Sequence, residues 1–166
     1  PPNNYDGIFP ANTSPAFEIS LASGYKGIEL DVRVTKDKRF IISHDEDLSV
    51  ATTLHGYVKD KNLAEFQNAM VIKSAFIPEK KSTAYEAFIA APIEPLNDVL
   101  KKFIDDPRLE KIVVDIKPDT DENILAAAKF DFEGLTEGQQ KKILFLTRTE
   151  SSAKILKELC PFSDIA

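Results

Sequence analysis

Residues 27–44, GIELDVRVTKDKRFIISH, constrain the fold more than any other stretch of the chain. Ile28, Leu30, Val32 and Val34 alternate with Glu29, Asp31 and Arg33. Side chains of a β-strand alternate between its two faces, so the apolar groups share one face and the charged groups the other. Thr35-Lys36-Asp37-Lys38 is a turn signal. Phe40-Ile41-Ile42 then reads as a second strand, and Ser43-His44-Asp45 delivers an imidazole and a carboxylate at its carboxyl end. Half-solvated surface strands alternate in the same way. Here, however, the polar face carries two carboxylates and a guanidinium in place of a Thr, Ser and Lys mixture. The pattern also returns downstream, where Ile112, Val114 and Ile116 alternate with Val113, Asp115 and Lys117. Two strands with acids towards their carboxyl ends point to one shared site.

Composition narrows the class. The chain has 166 residues, 43% hydrophobic and 29% charged, ordinary for a globular protein and enough for one sizeable core. A net charge of −6 argues against a nucleic-acid partner, which would call for a basic stripe. No apolar run reaches the roughly 18 residues of a transmembrane helix, and no signal peptide or lipidation motif is visible. The sequence leaves the compartment and the oligomeric state open. The single cysteine, Cys160, excludes an intrachain disulfide and a cysteine-based zinc site, and reads as a buried structural thiol.

Taken in order, residues 1–11 are loop-like, and Asn12-Thr13-Ser14-Pro15 opens a helix that Gly24 stops. After the two strands comes a polar loop, 47–56, in which His55 reads as solvated. A short helix is predicted over Asn62–Ala69. Residues 71–92, with a weakly helical Thr83–Ala91, read as a possible insertion over the site. Leu96, Val99, Leu100, Phe103 and Ile104 have helical spacing. Strand 112–116 precedes a helix over Glu122–Phe130, a short helix finishing at Gln139–Lys142, and a fourth strand, Ile143–Leu146, ending at Thr147-Arg148. Ser151-Ser152 is expected to cap a last helix that Pro161 ends. Nothing marks a second domain.

Alternating strands and helices imply parallel βαβ units in an α/β fold. Chemistry in such folds gathers at the carboxyl ends of the strands. Glu29, Asp31, His44, Asp115 and Lys117 all fall there, which reads as an acidic, divalent-metal-binding site flanked by His and Lys.

These residues resemble the glycerophosphodiester phosphodiesterase family. The likeness lies in Pro10-Ala11-Asn12-Thr13, Ala16-Phe17, Gly24, Ile28-Glu29-Leu30-Asp31-Val32 and Thr35-Lys36-Asp37-Lys38. It continues in Ile42-Ser43-His44-Asp45, Ile93-Glu94-Pro95-Leu96 with Val99-Leu100, and Val114-Asp115-Ile116-Lys117. The resemblance implies a TIM-type (β/α)8 barrel covered in part, about strands 2 to 5. It implies hydrolysis of small-molecule glycerophosphodiesters to glycerol 3-phosphate and an alcohol with Mg or Ca as cofactor. By the same match Glu29, Asp31 and Asp115 are metal ligands, His44 is one of two catalytic histidines and Lys117 contacts the phosphate.

The chain departs from the family pattern at several points. No His-Arg-Gly strand precedes Pro10, Ala11 replaces a glutamate, and Asp115 stands one methylene short of the family's glutamate. A barrel of this type takes typically about 250 residues, so the expectation is a fragment of a longer chain, with a degenerate homologue as the alternative. Two other activities fit the same residues: a phospholipase-D-like enzyme of the sphingomyelinase D type, with an apolar entrance built from 71–92, and a phosphodiesterase-like binding protein without catalysis.

Overall fold

The computed structural model describes residues 9–73 and 89–166. In chain order these hold α1 (Ser14–Ala22), β1 (Gly27–Val34), β2 (Phe40–Ile42), β3 (Met70–Lys73), β4 (Ile89–Pro92), α2 (Leu96–Phe103) and β5 (Lys111–Ile116). They continue with α3 (Asp121–Phe132), α4 (Glu137–Gln140), β6 (Ile143–Leu146), α5 (Glu150–Leu159) and β7 (Asp164–Ile165). One sheet has the order β2-β1-β5-β6-β7, and β3 pairs with β4 in a separate antiparallel ribbon. Among the described residues no helix is long and apolar enough to cross a membrane.

The alternation in β1 and β5 partitions the sheet. Ile28, Leu30, Val32 and Val34 are buried with Ile112, Val114 and Ile116, and Ile143 and Phe145 of β6 extend the same face. Helices cover it: Phe17 and Leu21 from α1, Leu96, Val99, Leu100 and Phe103 from α2, Ile124, Ala128 and Phe132 from α3, and Leu156 from α5. Phe132 meets Phe145 edge-on at 4.9 Å between ring centroids, which locks α3 against the middle of the sheet. Cys160 is fully buried, as read from sequence, and burial pushes its thiol up to about 11.

β2 corrects the expectation of uniformly parallel strands. β1, β5, β6 and β7 are parallel, whereas β2 returns antiparallel beside β1, pairing only Val32–Val34 with Phe40–Ile42. The connection is too short for a crossover, which takes a dozen or more residues. Thr35 closes the turn: its N–H bonds Arg39 O, and its hydroxyl bonds Asp37. Lys38 occupies the left-handed region at φ 57. Four strands are parallel, but the fourth is the two-residue β7 in place of β2.

Other boundaries shift for local reasons. The predicted helix over Asn62–Ala69 is a 3-10 turn, Leu63–Phe66, with Asn62 and Glu65 forming a capping box. α4 begins at Glu137 because Thr136 and Gln139 form another, so the helix ends before Lys142. Thr149, not Ser151-Ser152, caps α5, accepting from Ser152 N. Residues 89–91, read as the tail of a weak helix, are extended in β4; most of Thr83–Ala91, and of the candidate insertion 71–92, lies outside the described residues.

Asp131, on the buried side of α3, has an Oδ2 with no hydrogen-bond partner among the described residues. Burial pushes its pKa up to about 7, against backbone hydrogen bonds from Phe40 and Asn97 and the attraction of Arg39; Asp98 adds repulsion. A carboxyl with a raised folded-state pKa stabilises the fold below its unfolded pKa and loses that contribution as pH rises through the folded value. From pH 4 to 8 the loss is on the order of 4 kcal/mol. Urea unfolding of Asp131→Asn is expected to show a stability gain over wild type at pH 8 that vanishes near pH 4. A gap independent of pH would refute the assignment.

Candidate active site

The face of the sheet opposite the helices carries the charged residues. Parallel pairing sets Asp31 of β1 directly opposite Asp115 of β5, and Glu29 opposite Val113. One carboxylate oxygen from each of Glu29, Asp31 and Asp115 lies within 4.8 Å of the others. Asp31 and Asp115 are each 7% exposed, and Glu29 is the most exposed of the three. Adjacent buried like charges need a cation between them. Lys117 supplies one: Nζ lies 2.5 Å from Asp31 Oδ1 and 2.8 Å from Asp115 Oδ2. Burial pulls the Lys117 ammonium down, but the hydrogen bonds and charges of Asp115 and Asp31 outweigh it and raise its pKa. Burial, then repulsion from Asp31 and Asp115, pushes Glu29 up, while Lys117 and His44 act the other way. Three hard carboxylate donors converging on one point fit a divalent cation such as magnesium or calcium, and the ion pairs of Lys117 mark where positive charge is already at home.

The β1–β2 hairpin brings His44 to this cluster. Ser43 N–H bonds Asp31 O, so the end of β2 returns beside the carboxylates. His44 is exposed, and its Nδ1 lies 3.0 Å from Asp45 Oδ1. Together with Glu29 and Asp31 it lines a cleft of about 530 Å³. It also lines a neighbouring cleft of about 370 Å³ with Val71, Ile72 and Ile93. His55 is exposed in its loop, 3.4 Å from Ser49 Oγ, and is not among the residues lining either cleft. All five residues singled out from sequence, Glu29, Asp31, His44, Asp115 and Lys117, are thus gathered at one end of the sheet.

Sequence reasoning passed over three others. Asn12, at φ 60, clamps Asp31 twice, donating from Nδ2 to Oδ2 at 2.8 Å and accepting at Oδ1 from the Asp31 N–H at 3.0 Å. Its Pro-Ala-Asn-Thr setting was the available signal. Arg33 donates from Nε to His44 O at 2.9 Å, tying the histidine's backbone to the end of β1. Arg148 donates from Nη2 to Asp115 Oδ2 at 3.1 Å. The period of two that sets Asp115 on the site face also sets Leu144 and Leu146 there, and Arg148 follows in the bend just past β6.

Comparison with known proteins agrees with this geometry. The glycerophosphoryl diester phosphodiesterase family model matches residues 5–161. A glycerophosphodiester phosphodiesterase of Caldanaerobacter subterraneus subsp. tengcongensis is 29% identical over 156 residues, covering 92% of this chain and 58% of that protein. Among solved structures, a glycerophosphoryl diester phosphodiesterase from Silicibacter pomeroyi superposes with a TM-score of 0.75 at 16% identity, covering 96% of this chain and 60% of that one. An Oleispira antarctica phosphodiesterase in complex with its product sn-glycerol-3-phosphate gives 0.64 at 21%, again covering 96% and 60%. The chain therefore spans about three fifths of the length of these relatives. The structural likeness carries the fold, in which β1, β5, β6 and β7 form an arc of a TIM-type (β/α)8 barrel wall. The 166 residues belong to the glycerophosphoryl diester phosphodiesterase family.

Proposed function

We propose that the protein hydrolyses glycerophosphodiesters to glycerol 3-phosphate and an alcohol in a metal-dependent reaction. The convergence of the Glu29, Asp31 and Asp115 carboxylates, two of which line a cleft with His44, carries this reading. Family membership supports it, as does the product complex of the Oleispira antarctica relative. Residues 1–166 are read as one partial phosphodiesterase-like domain, with 71–92 as a candidate insertion.

Glu29, Asp31 and Asp115 would hold magnesium or calcium, which when bound polarises a phosphoryl oxygen and neutralises charge in the transition state. Asn12 fixes the carboxylate of Asp31 through Oδ2, and Lys117 meets it at Oδ1. Lys117 offsets the negative charge of the phosphoryl oxygens. As water bonds to phosphorus, losing a proton to solvent, and the phosphorus–oxygen bond to the alcohol breaks, His44 gives its proton to the departing oxygen. Asp45 orients the imidazole through Nδ1, and Arg33 anchors the His44 backbone.

A second reading rests on the cleft beside His44, where Val71, Ile72 and Ile93 make an apolar wall. An enzyme of the phospholipase D type would seat a lipid there. Micellar sphingomyelin cleaved faster than glycerophosphocholine would select that reading, and the reverse order the water-soluble diester.

Release of glycerol 3-phosphate from glycerophosphocholine is expected with magnesium or calcium and to stop with chelator. Glu29→Gln is expected to abolish it, and His44→Ala to lower kcat by about 10²- to 10⁴-fold. Metal binding without any turnover would leave a binding protein. Asn12→Ala, which removes only the support of Asp31, is expected to weaken metal affinity by about 10- to 100-fold. Calorimetric metal titration measures this, and unchanged affinity would remove Asn12 from the site.

A further inference from the structure

On the site face, the tier beyond the carboxylates is cationic. Asp31, Asp115 and Leu146 are neighbours in one row across β1, β5 and β6. Two residues further along come Arg33, still in β1, Lys117, just past β5, and Arg148, in the bend just past β6. Their engagements differ. Arg33 is committed to the His44 carbonyl. Lys117, with a side chain only 12% exposed, is enclosed between Asp31 and Asp115. The Arg148 side chain is 59% exposed, and its hydrogen bonds among the described residues come from Nη2 alone, to Asp115.

Strand order separates Arg148 from His44. β2, which leads to His44, and β6, which leads to Arg148, flank the β1–β5 pair that holds the carboxylates. A phosphodiester seated over the carboxylates with its leaving oxygen towards His44 therefore has Arg148 on its far side. Formal charge points the same way. The three carboxylates with Lys117 and Arg148 sum to one negative charge, and a divalent cation turns this into one positive charge. That matches a phosphodiester, a monoanion; without Arg148 the loaded site would be neutral. Asp115 Oδ2 already accepts from both Lys117 and Arg148. A cation at that oxygen would repel both, and the exposed Arg148 is the freer to turn outward.

We propose that Arg148 binds the substrate, its guanidinium gripping the non-bridging phosphate oxygens from the side opposite His44. It is distinct from the arginine that the family pattern places in a His-Arg-Gly first strand. A guanidinium fork is suited to this, presenting parallel N–H donors to an oxyanion. The assignment rests on the phosphodiesterase reading, and its test separates the two.

The test uses steady-state kinetics on glycerophosphocholine at saturating metal, with wild type, Arg148→Ala, Arg148→Lys and Arg148→Gln. Arg148→Ala is expected to raise KM by about 10- to 100-fold with a smaller change in kcat. Arg148→Lys should recover part of this loss and Arg148→Gln little. Metal affinity, measured by calorimetry, should be equal or tighter in Arg148→Ala, because a cation competing for Asp115 has gone. An unchanged KM, or weaker metal binding with KM unmoved, would reduce Arg148 to a counter-charge for Asp115 and overturn the proposal. The exposed position predicts an unchanged thermal melt; should Arg148→Ala be unstable, the comparison of Arg148→Lys with Arg148→Gln decides. If metal-loaded wild type turns nothing over, the phosphodiesterase reading fails by itself. Titration with glycerol 3-phosphate then decides on Arg148: tighter binding by wild type than by Arg148→Gln upholds the anion contact, and equal binding refutes it.

Discussion

The structure depends on setting Asp31 against Asp115 across a parallel pair. Two carboxylates, each 7% exposed, are brought together by backbone register, and neither strand can slip without turning its core face out. In water their repulsion would be slight; in a partly dry site it is several-fold larger. Lys117 and Asn12 absorb it locally, the one by charge and the other by hydrogen bonds. Everything else in the site is arranged around that pair. Glu29 adds a third carboxylate and is pushed towards its neutral form by burial and by its two neighbours.

The price of this arrangement is met on the opposite face of the same strands. Residues 28, 30, 32 and 34 of β1 and 112, 114 and 116 of β5 lie in one continuous apolar core under four helices. Because each strand alternates, the residues that stabilise the fold and those that crowd charge together are the same segment of backbone. Register fixed by the core thus becomes geometry fixed in the site. The hairpin extends this economy: Phe40 and Ile42 join the main core, Ile41 joins a smaller one with Leu48, Val58 and Phe66, and the following residue pair carries Ser43 to Asp31 O and His44 to the cleft.

What could be read from sequence follows the same division. Alternation announced both faces of β1 and β5, and all five candidate residues came from it or from its strand ends. Direction was not legible in the same way. Residues 40–42 look like any buried strand, and only the four-residue turn signals that they return antiparallel. β7 has two residues and no pattern of its own; past its end Ala166 donates its N–H to Phe145 O and accepts at its carbonyl from Thr147 N–H, continuing the pairing with β6. The start of α5 moved because Thr149, ahead of the serines that drew attention, is its cap. Asn12 was hidden for another reason. Its contact with Asp31 spans 19 residues and depends on a left-handed backbone that nothing local to Asn12 demands.

Asp115 shows how a departure from the family pattern can be accommodated by the fold around it. One methylene fewer than glutamate would shorten the reach of an isolated side chain. Here the strand register places Asp115 opposite Asp31, and its carboxylate still falls within 4.8 Å of the oxygens of Glu29 and Asp31. The nitrogens of Lys117 and Arg148 both reach its Oδ2, at 2.8 and 3.1 Å. The shorter residue therefore fits with an arginine just past β6: its carboxylate is met by Lys117 and Arg148 together while still converging with those of Glu29 and Asp31.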